Sequence, residues 1–493
     1  MGNEEYRTLN PSSKECMFQF VNDVLMSFRD CFSREKAFNW FVVIVVGLMV
    51  RTDHLGVTSV IRALCLSVNY VLLIDFFRSE AWTLEGLIDR WCRTVVKLAP
   101  LARHNGAIIM VGDGVKQGKE GRKMPGVKRM HQESENTSKA SYIFGHLFGG
   151  IGVVAESGAK RYCIPLALLL QDGVKAIFGW GDKPERQTSH VTELISLAHK
   201  TSKCLGRKNI LLLDRLFLSG PALSTLNNLN ADGHIMHIVT KAKSNCAAYL
   251  PVVKEKGKRG RPRLKGESVK VFGLFEVAKD MFISAEAVLY GKPEQVRYHC
   301  VDLLWGQKLY MKLRFVLAEY GGKKSILVST DLTLAPLDII QLYGRRFSIE
   351  AMFREMKQVI HAFCYRFWSK HMPKLNRFKK KTDPDPLESV CDPKAQAKIK
   401  QAVNAIEGFM FLCIVAMGLT QMIALRFSGS AEFSKLRWLR TNRNAIASEA
   451  TVADFFQKNI FRFLMIYPNL PITRIIRGKQ CAEVDDSGYP EAV

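Results

Sequence analysis

Four apolar runs constrain this chain more than any other feature. They stand in AIIMVGDG from Ala107, in SYIFGHLFGGIGVVAESGAKRYCIPLALLLQDG from Ser141, in KNILLLDR from Lys208 and in GHIMHIVTKAK from Gly233. Short runs with little polar alternation, bounded by glycine and charge, belong to strands buried on both faces. Between the second and third, HVTELISLAHKTSKCLG repeats its apolar side chains at helical spacing. Strands and helices therefore alternate as in an α/β layer structure, and the expected fold is a mixed sheet flanked by helices.

At 493 residues the chain has room for two to four cooperating units. Residues 1–100 carry helical spacing, as in TLEGLIDRWCRTVVKL from Thr83, and are expected to form a helical, DNA-binding domain. Residues 101–242 hold the strand runs and form the first part of the core. From 243 to 325 the pattern is β-rich, with a Gly- and Lys-rich loop near its start, and reads as an insertion. Residues 326–372, in which helical pattern returns from Pro336 to about Ile360, complete the core with the glutamate helix. The stretch 373–396 is charged and proline-containing and reads as a linker; 397–493 is mainly helical and ends in a polar tail.

Lys and Arg number 71 against 46 Asp and Glu, a net charge of +25, which points to a large polyanionic partner, nucleic acid before an anionic membrane surface. The twelve cysteines are scattered from Cys16 to Cys481 without C-x-x-C spacing, as expected of reduced core residues in a cytoplasmic protein. The N-terminal residues show neither a secretion signal nor a myristoylation site. Phe38–Val50 is too short to span a bilayer, and Gly408–Leu425 is marginal and interrupted by Thr420 and Gln421. Both are expected to be buried helices, with no membrane partner.

The sharpest motif lies in QLYGRRFSIEAMFREMKQVI. On a continuous helix Tyr343, Arg346, Glu350 and Lys357 fall within an arc of about 60°. Ile349, Met352, Phe353, Met356 and Ile360 form a separate apolar side suited to a core. Arg346 and Glu350 alone would equally make a solvated i,i+4 pair. Asp113 and Asp214 each follow an apolar run, where open α/β sheets present functional groups, although an aspartate there can also serve a turn. Two strand-end acids and one helix acid together can converge on a pair of divalent ions, because Mg²⁺ and Mn²⁺ favour carboxylate and water oxygens.

The spacing Tyr-x2-Arg-x3-Glu-x6-Lys, with Asp113 in DGVKQGKEGRKMPGVK and Asp214 in LLLDR, resembles the insertion sequence 4 family of DDE transposases. The match in that signature is complete, and the resemblance covers about residues 106–370. It implies an RNase H-like core interrupted by a β-rich insertion before the glutamate helix. It also implies cut-and-paste transposition: metal-dependent cleavage at the element's ends, then attack of the 3′-hydroxyls on target DNA. By motif position, Asp113, Asp214 and Glu350 would be the catalytic residues and bind two Mg²⁺ ions, for which Mn²⁺ can substitute. Tyr343, Arg346 and Lys357 would hold the phosphate backbone of double-stranded DNA, and a homodimer would handle the two ends.

Other basic residues fit the same partner. Lys116, Lys119, Arg122, Lys123, Lys128 and Arg129 follow Asp113 as candidate phosphate contacts. Arg259 and Arg261, within KRGRPR, form an AT-hook-like segment suited to a narrow minor groove. Trp305 could stack on an extruded base but reads better as a core side chain. Gly150, Gly152 and Ala155 match a loose dinucleotide pattern without the helix it needs. His234 and His237 have no evident third ligand and read as structural. Two alternatives to an active transposase are a derivative that binds DNA without cutting it and a two-metal nuclease of other specificity; the three acids speak against the first and the full signature against the second.

Overall fold

The fully apolar runs are strands, and their pairing is seen in a computed structural model that describes residues 17–53, 56–132, 140–158, 160–181, 184–206, 208–252, 263–289, 291–378, 383–428, 433 and 446–480. The chain divides into two compact units, one of Met1–Ala99, Glu355–Phe367 and Gln401–Val493, the other of Pro100–Arg354 and Trp368–Lys400.

The second unit holds a mixed sheet flanked by helices. Its long early strands are β1 (Ala107–Gly118), β2 (Tyr142–Ser157) and β3 (Lys160–Gln171), each antiparallel to the next, with the short strands Arg103–His104 and Lys128–His131 pairing with β1 and β2 respectively. Helix α1 (His190–Leu205) leads to β4 (Lys208–Leu212), and α2 (Gly220–Asn230) leads to β5 (Ile235–Lys241). Both strands run parallel to β1, because a helical crossover returns the chain in the same direction. Ser189 and Ser219 cap the two helices, accepting from the N–H groups of Thr192 and Ala222. Residues Ala107–Val111 of β1 are buried throughout, as an apolar run without alternation requires.

The β-rich segment does not stand apart from this sheet. Its strands are β6 (Ala247–Tyr249), β7 (Ser268–Lys270), β8 (Ile283–Leu289), β9 (Lys292–Trp305), β10 (Met311–Tyr320) and β11 (Lys323–Ser329). Strand β11 pairs antiparallel with β5, Ser329 opposite Val239. The order β3–β2–β1–β4–β5–β11–β10–β9 is thus continuous, with β8 and the short β6 and β7 beyond β9. The segment keeps a core of its own, around Phe275, Leu303, Leu313 and Phe315, and Trp305 packs against it.

Two helices follow: α3 (Pro336–Gly344) and α4 (Ser348–Gln358). The single helix expected over this stretch is broken at Arg345–Phe347. There the N–H groups of Arg345, Arg346, Ser348 and Ile349 each donate to the carbonyl three residues back, which tightens the turn. Gly344, the weakest helix former here apart from proline, stands at the break. The apolar side of α4 is buried as its spacing implies, with Ile349, Met352, Phe353, Met356 and Ile360 all at most 7% exposed.

In the first unit, helices Met17–Met26, Glu35–Val50, Leu84–Leu98 and Glu449–Ile466 bury aromatic rings against one another. Phe28 lies 5.0 Å from Phe41, and Phe18 from near the N-terminus stacks on Phe463 from near the C-terminus at 5.3 Å. Helix Pro393–Arg426 is long and apolar enough to cross a membrane, and its apolar window is wholly buried inside the protein. Phe38–Val50 is buried as well.

Buried Arg51 fastens the chain just after α4. Its Nη2 donates to the carbonyls of Ile360 (2.7 Å) and His361 (2.9 Å), and its Nη1 to Gly56 O and Ser59 Oγ. Replacing Arg51 with Met keeps the apolar stem and orphans these acceptors. We expect a loss of about 2 kcal/mol in urea unfolding; an unchanged midpoint would show that the carbonyls find other donors.

Candidate active site

Asp113 lies within β1 rather than at its end, opposite Gly150 of β2. The strand outlasts the apolar run because its antiparallel partner continues to Gly118, whereas parallel pairing with β4 stops at Val111 opposite Leu212. Asp113 therefore emerges two residues past the parallel ladder. Asp214 emerges two residues past β4, so the acids stand at corresponding ends of neighbouring parallel strands. Asp214 Oδ1 accepts from Leu216 N at 2.9 Å, and its carbonyl accepts from Thr240 Oγ1 at 2.5 Å, which fixes the turn after β4.

Side-chain alternation sets the face. A Cβ on Gly112 would point at Leu213, Ile151 and Leu194 of α1, so Asp113 projects from the opposite side of the sheet. On that side, a Cβ on Gly150 would sit 2.8 Å from Cζ of Phe353, and one on Gly152 would meet Met352 Sδ at 3.5 Å. The bare backbone of β2 thus lets α4 lie against the strand, bringing Glu350, one turn before Phe353, toward Asp113. Gly150→Val should push α4 off the strand and cost about 2 kcal/mol in urea unfolding. Gly114→Ala, whose Cβ would meet Leu147 at an ordinary 3.4 Å, should cost far less. Equal effects would contradict the close approach.

Arg346 ties the acids together. Its Nη1 donates to Asp113 Oδ2 at 3.1 Å and its Nη2 to Glu350 Oε1 at 2.5 Å, with the guanidinium side chain only 17% exposed. Burial and the negative charge of Asp214 push the Asp113 carboxyl up from its ordinary 3.8 to about 6. Glu350 adds to the rise, while Arg346 and the Gly114 N–H, which donates to Asp113 Oδ1 at 2.7 Å, oppose it. Burial alone would lower the pKa of Arg346; Asp113, Tyr343 and Glu350 outweigh it and hold it above its ordinary value. Three acids and one arginine therefore form one electrostatic cluster. Among the described residues no three donors already stand in a metal-ligating group; the guanidinium lies between Asp113 and Glu350.

The other sequence candidates are spread more widely. Tyr343, partly buried, is in the last turn of α3, and Lys357 is exposed in the last turn of α4. The break between the helices means that the four signature residues do not share one helical face. Lys116 donates its ammonium to His131 O at 2.7 Å. Lys119 is partly buried, and Arg122 and Lys123 are exposed in the loop after β1. Arg259 and Arg261 lie outside the described residues. His234 is held by Ser202 Oγ at 2.7 Å and His237 stands near Asp331 and Thr330, a structural setting for both.

Two cations outside the sequence candidates join the cluster, Lys241 and Arg215. Lys241 ends β5, and burial followed by the charges of Arg215, Arg346 and Lys323 depresses its pKa. Arg215 directly follows Asp214. Both add positive charge beside the carboxylates. Arg215 could have been found by adjacency to Asp214, but Lys241 becomes visible only once β5 is known to neighbour β4. Comparisons with protein-family models, characterised proteins and solved structures return no match.

Proposed function

We propose that the chain is a DNA transposase of the three-carboxylate kind, built on an RNase H-like core and similar to the insertion sequence 4 family. The observation that carries this reading is the cluster itself: Asp113 and Asp214 at the ends of adjacent parallel strands, with Glu350 joined to Asp113 through Arg346. The mixed sheet, ordered β3–β2–β1–β4–β5 with β2 antiparallel and β4 and β5 reached through helices, is compatible with an RNase H-like core and so supports the same reading. So does the net charge of +25.

The donor set suits hard divalent cations. It is made of carboxylate oxygens, and the burial and mutual repulsion that together raise the Asp113 pKa are what a cation would offset. Asp113, Asp214 and Glu350 would hold Mg²⁺ or Mn²⁺, which when bound activates water or a 3′-hydroxyl and stabilises the departing oxygen. Arg346 donates to both Asp113 and Glu350 in the free protein, and its remaining N–H groups can turn to a phosphate. Tyr343, Lys241 and Arg215 supply further donors for the backbone of duplex DNA, and Lys357 keeps the phosphate role that its motif position implies. Water first displaces a 3′ oxygen at the element end, and that 3′-hydroxyl then displaces one in target DNA, so no covalent protein intermediate is needed. Two DNA ends call for two copies of the chain, acting on chromosomal DNA in the cytoplasm.

The test is incubation with Mg²⁺ and linear DNA carrying the sequences that flank the chain's own coding region. Strand cuts at the element boundary, followed by joining of the new 3′ ends to a second DNA, are expected. Tight binding of those ends without any cut would instead identify a DNA-binding derivative that has lost catalysis.

A further inference from the structure

The surface beyond β1 has a composition and construction that the catalytic cluster does not use. The segment Trp368–Phe378 (WSKHMPKLNRF) carries Lys370, Lys374 and Arg377, and no acid. It is fastened along the loop that follows β1. Ser369 N donates to Lys123 O at 3.2 Å, Leu375 N to Arg122 O at 2.9 Å and Arg377 Nη2 to Glu120 O at 2.9 Å. Lys123 Nζ donates back to Lys370 O at 3.4 Å, and the Arg377 guanidinium lies 5.5 Å from the Phe144 ring. Buried Met372 anchors the middle of the strap.

Against this fixed backbone two large rings are turned outward: Trp368 is 62% exposed and Phe378 81%. Exposed aromatic rings interleaved with cations are poor material for an apolar protein contact, because the cations would have to be desolvated with them. The combination matches a surface for nucleic acid whose bases are unpaired: the cations follow the phosphates, and each ring offers a face to a base. A paired duplex buries those base faces in its own stack and cannot use the rings.

We propose that the strap Trp368–Phe378, with Arg122 and Lys123, is a binding site for single-stranded DNA, in which unpaired bases stack on Trp368 and Phe378. The proposal rests on the DNA-acting reading of the chain and extends it to a second nucleic-acid form. The position is consistent with such a role. From Asp113 to Gly118, where the loop begins, β1 runs five residues, about 17 Å, so a strand opened beside the carboxylates would reach the strap within several nucleotides.

The experiment measures binding of the full-length protein to fluorescein-labelled oligo(dT) and to a duplex of equal length, over a range of salt. The proteins compared are wild type, Trp368→Ala/Phe378→Ala and Lys370→Glu/Lys374→Glu. Because all four side chains are exposed, the variants should keep the wild-type melting midpoint. Removing the rings should weaken oligo(dT) binding roughly tenfold or more, while duplex binding changes by less than about twofold and the salt slope stays the same. Reversing the two charges should weaken oligo(dT) binding and flatten its salt dependence. Oligo(dT) binding that is unaffected by loss of the rings overturns the proposal and leaves the DNA-acting reading in place. So does an equal loss for both DNA forms, or a wild type that binds duplex but not oligo(dT). A wild type that binds neither form overturns both.

Discussion

Glu350→Gln should lower DNA strand cleavage by a factor on the order of 10³ while duplex binding changes by less than about threefold. Glutamine keeps the size of the side chain and can still accept from Arg346, but it removes one of the negative charges that a divalent cation needs. Glu350 is exposed at the start of α4, so the change leaves the packed side of that helix untouched. The contrast between cutting and binding is what matters. A purely structural Arg346–Glu350 pair would act only through the fold, so the substitution would change cutting and binding by the same factor. Gel-shift binding and single-turnover cleavage on the same DNA separate the two cases.

Asp113→Asn should change the pH dependence of stability. In the cation-free protein the Asp113 carboxyl is raised from 3.8 to about 6, so the folded state prefers it protonated. That preference contributes fully at pH below 3.8 and is lost as pH rises through about 6. A shift of this size corresponds to about 3 kcal/mol between the two limits. Asparagine carries no such penalty. The stability of Asp113→Asn relative to wild type, measured by urea unfolding with chelator present, should therefore climb between pH 4 and pH 7 by roughly that amount. Loss of the acceptor for Arg346 shifts the whole difference by a constant and leaves its slope intact. A difference that stays flat with pH would mean that neither burial nor the charges of Asp214 and Glu350 raise the Asp113 carboxyl. The same ionisation should make cation binding, and cleavage with it, stronger as pH rises through about 6.

Much of the sheet was legible because local pattern and burial coincide. The runs at Ala107, Tyr142, Lys208 and Ile235 are strands, and α1 follows its apolar spacing. Pairing partners were not legible, because they are non-local: nothing in the sequence around Lys323–Ser329 announces that β11 will pair with β5 and continue one sheet. Asp113 looked like a strand-end residue because the apolar run stops there, but hydrogen bonding to β2 carries the strand on to Gly118. The helix break at Arg345–Phe347 was hidden because an unbroken helix and a tightened turn bear similar side chains, and Gly344 was the only hint. Gly150 and Gly152, which loosely match a dinucleotide pattern, make room for Phe353 and Met352. That need is invisible until α4 is known to cross β2. Of the candidate site, Asp113, Arg346 and Glu350 are brought into contact, with the charge of Asp214 felt at Asp113; Lys241 was missed because only strand order places it there.

The most direct test of the three-carboxylate cluster is its linkage to a cation, measured without reference to activity. Thermal unfolding at pH 8 is followed against Mn²⁺ concentration for wild type, Asp113→Asn, Asp214→Asn and Glu350→Gln. A shared site requires the wild-type midpoint to climb with Mn²⁺ as a ligand of the folded state would make it, and each substitution to abolish that climb or move it to at least about tenfold higher concentration. An equal climb in all four proteins would contradict the assignment of Asp113, Asp214 and Glu350 as a cation site.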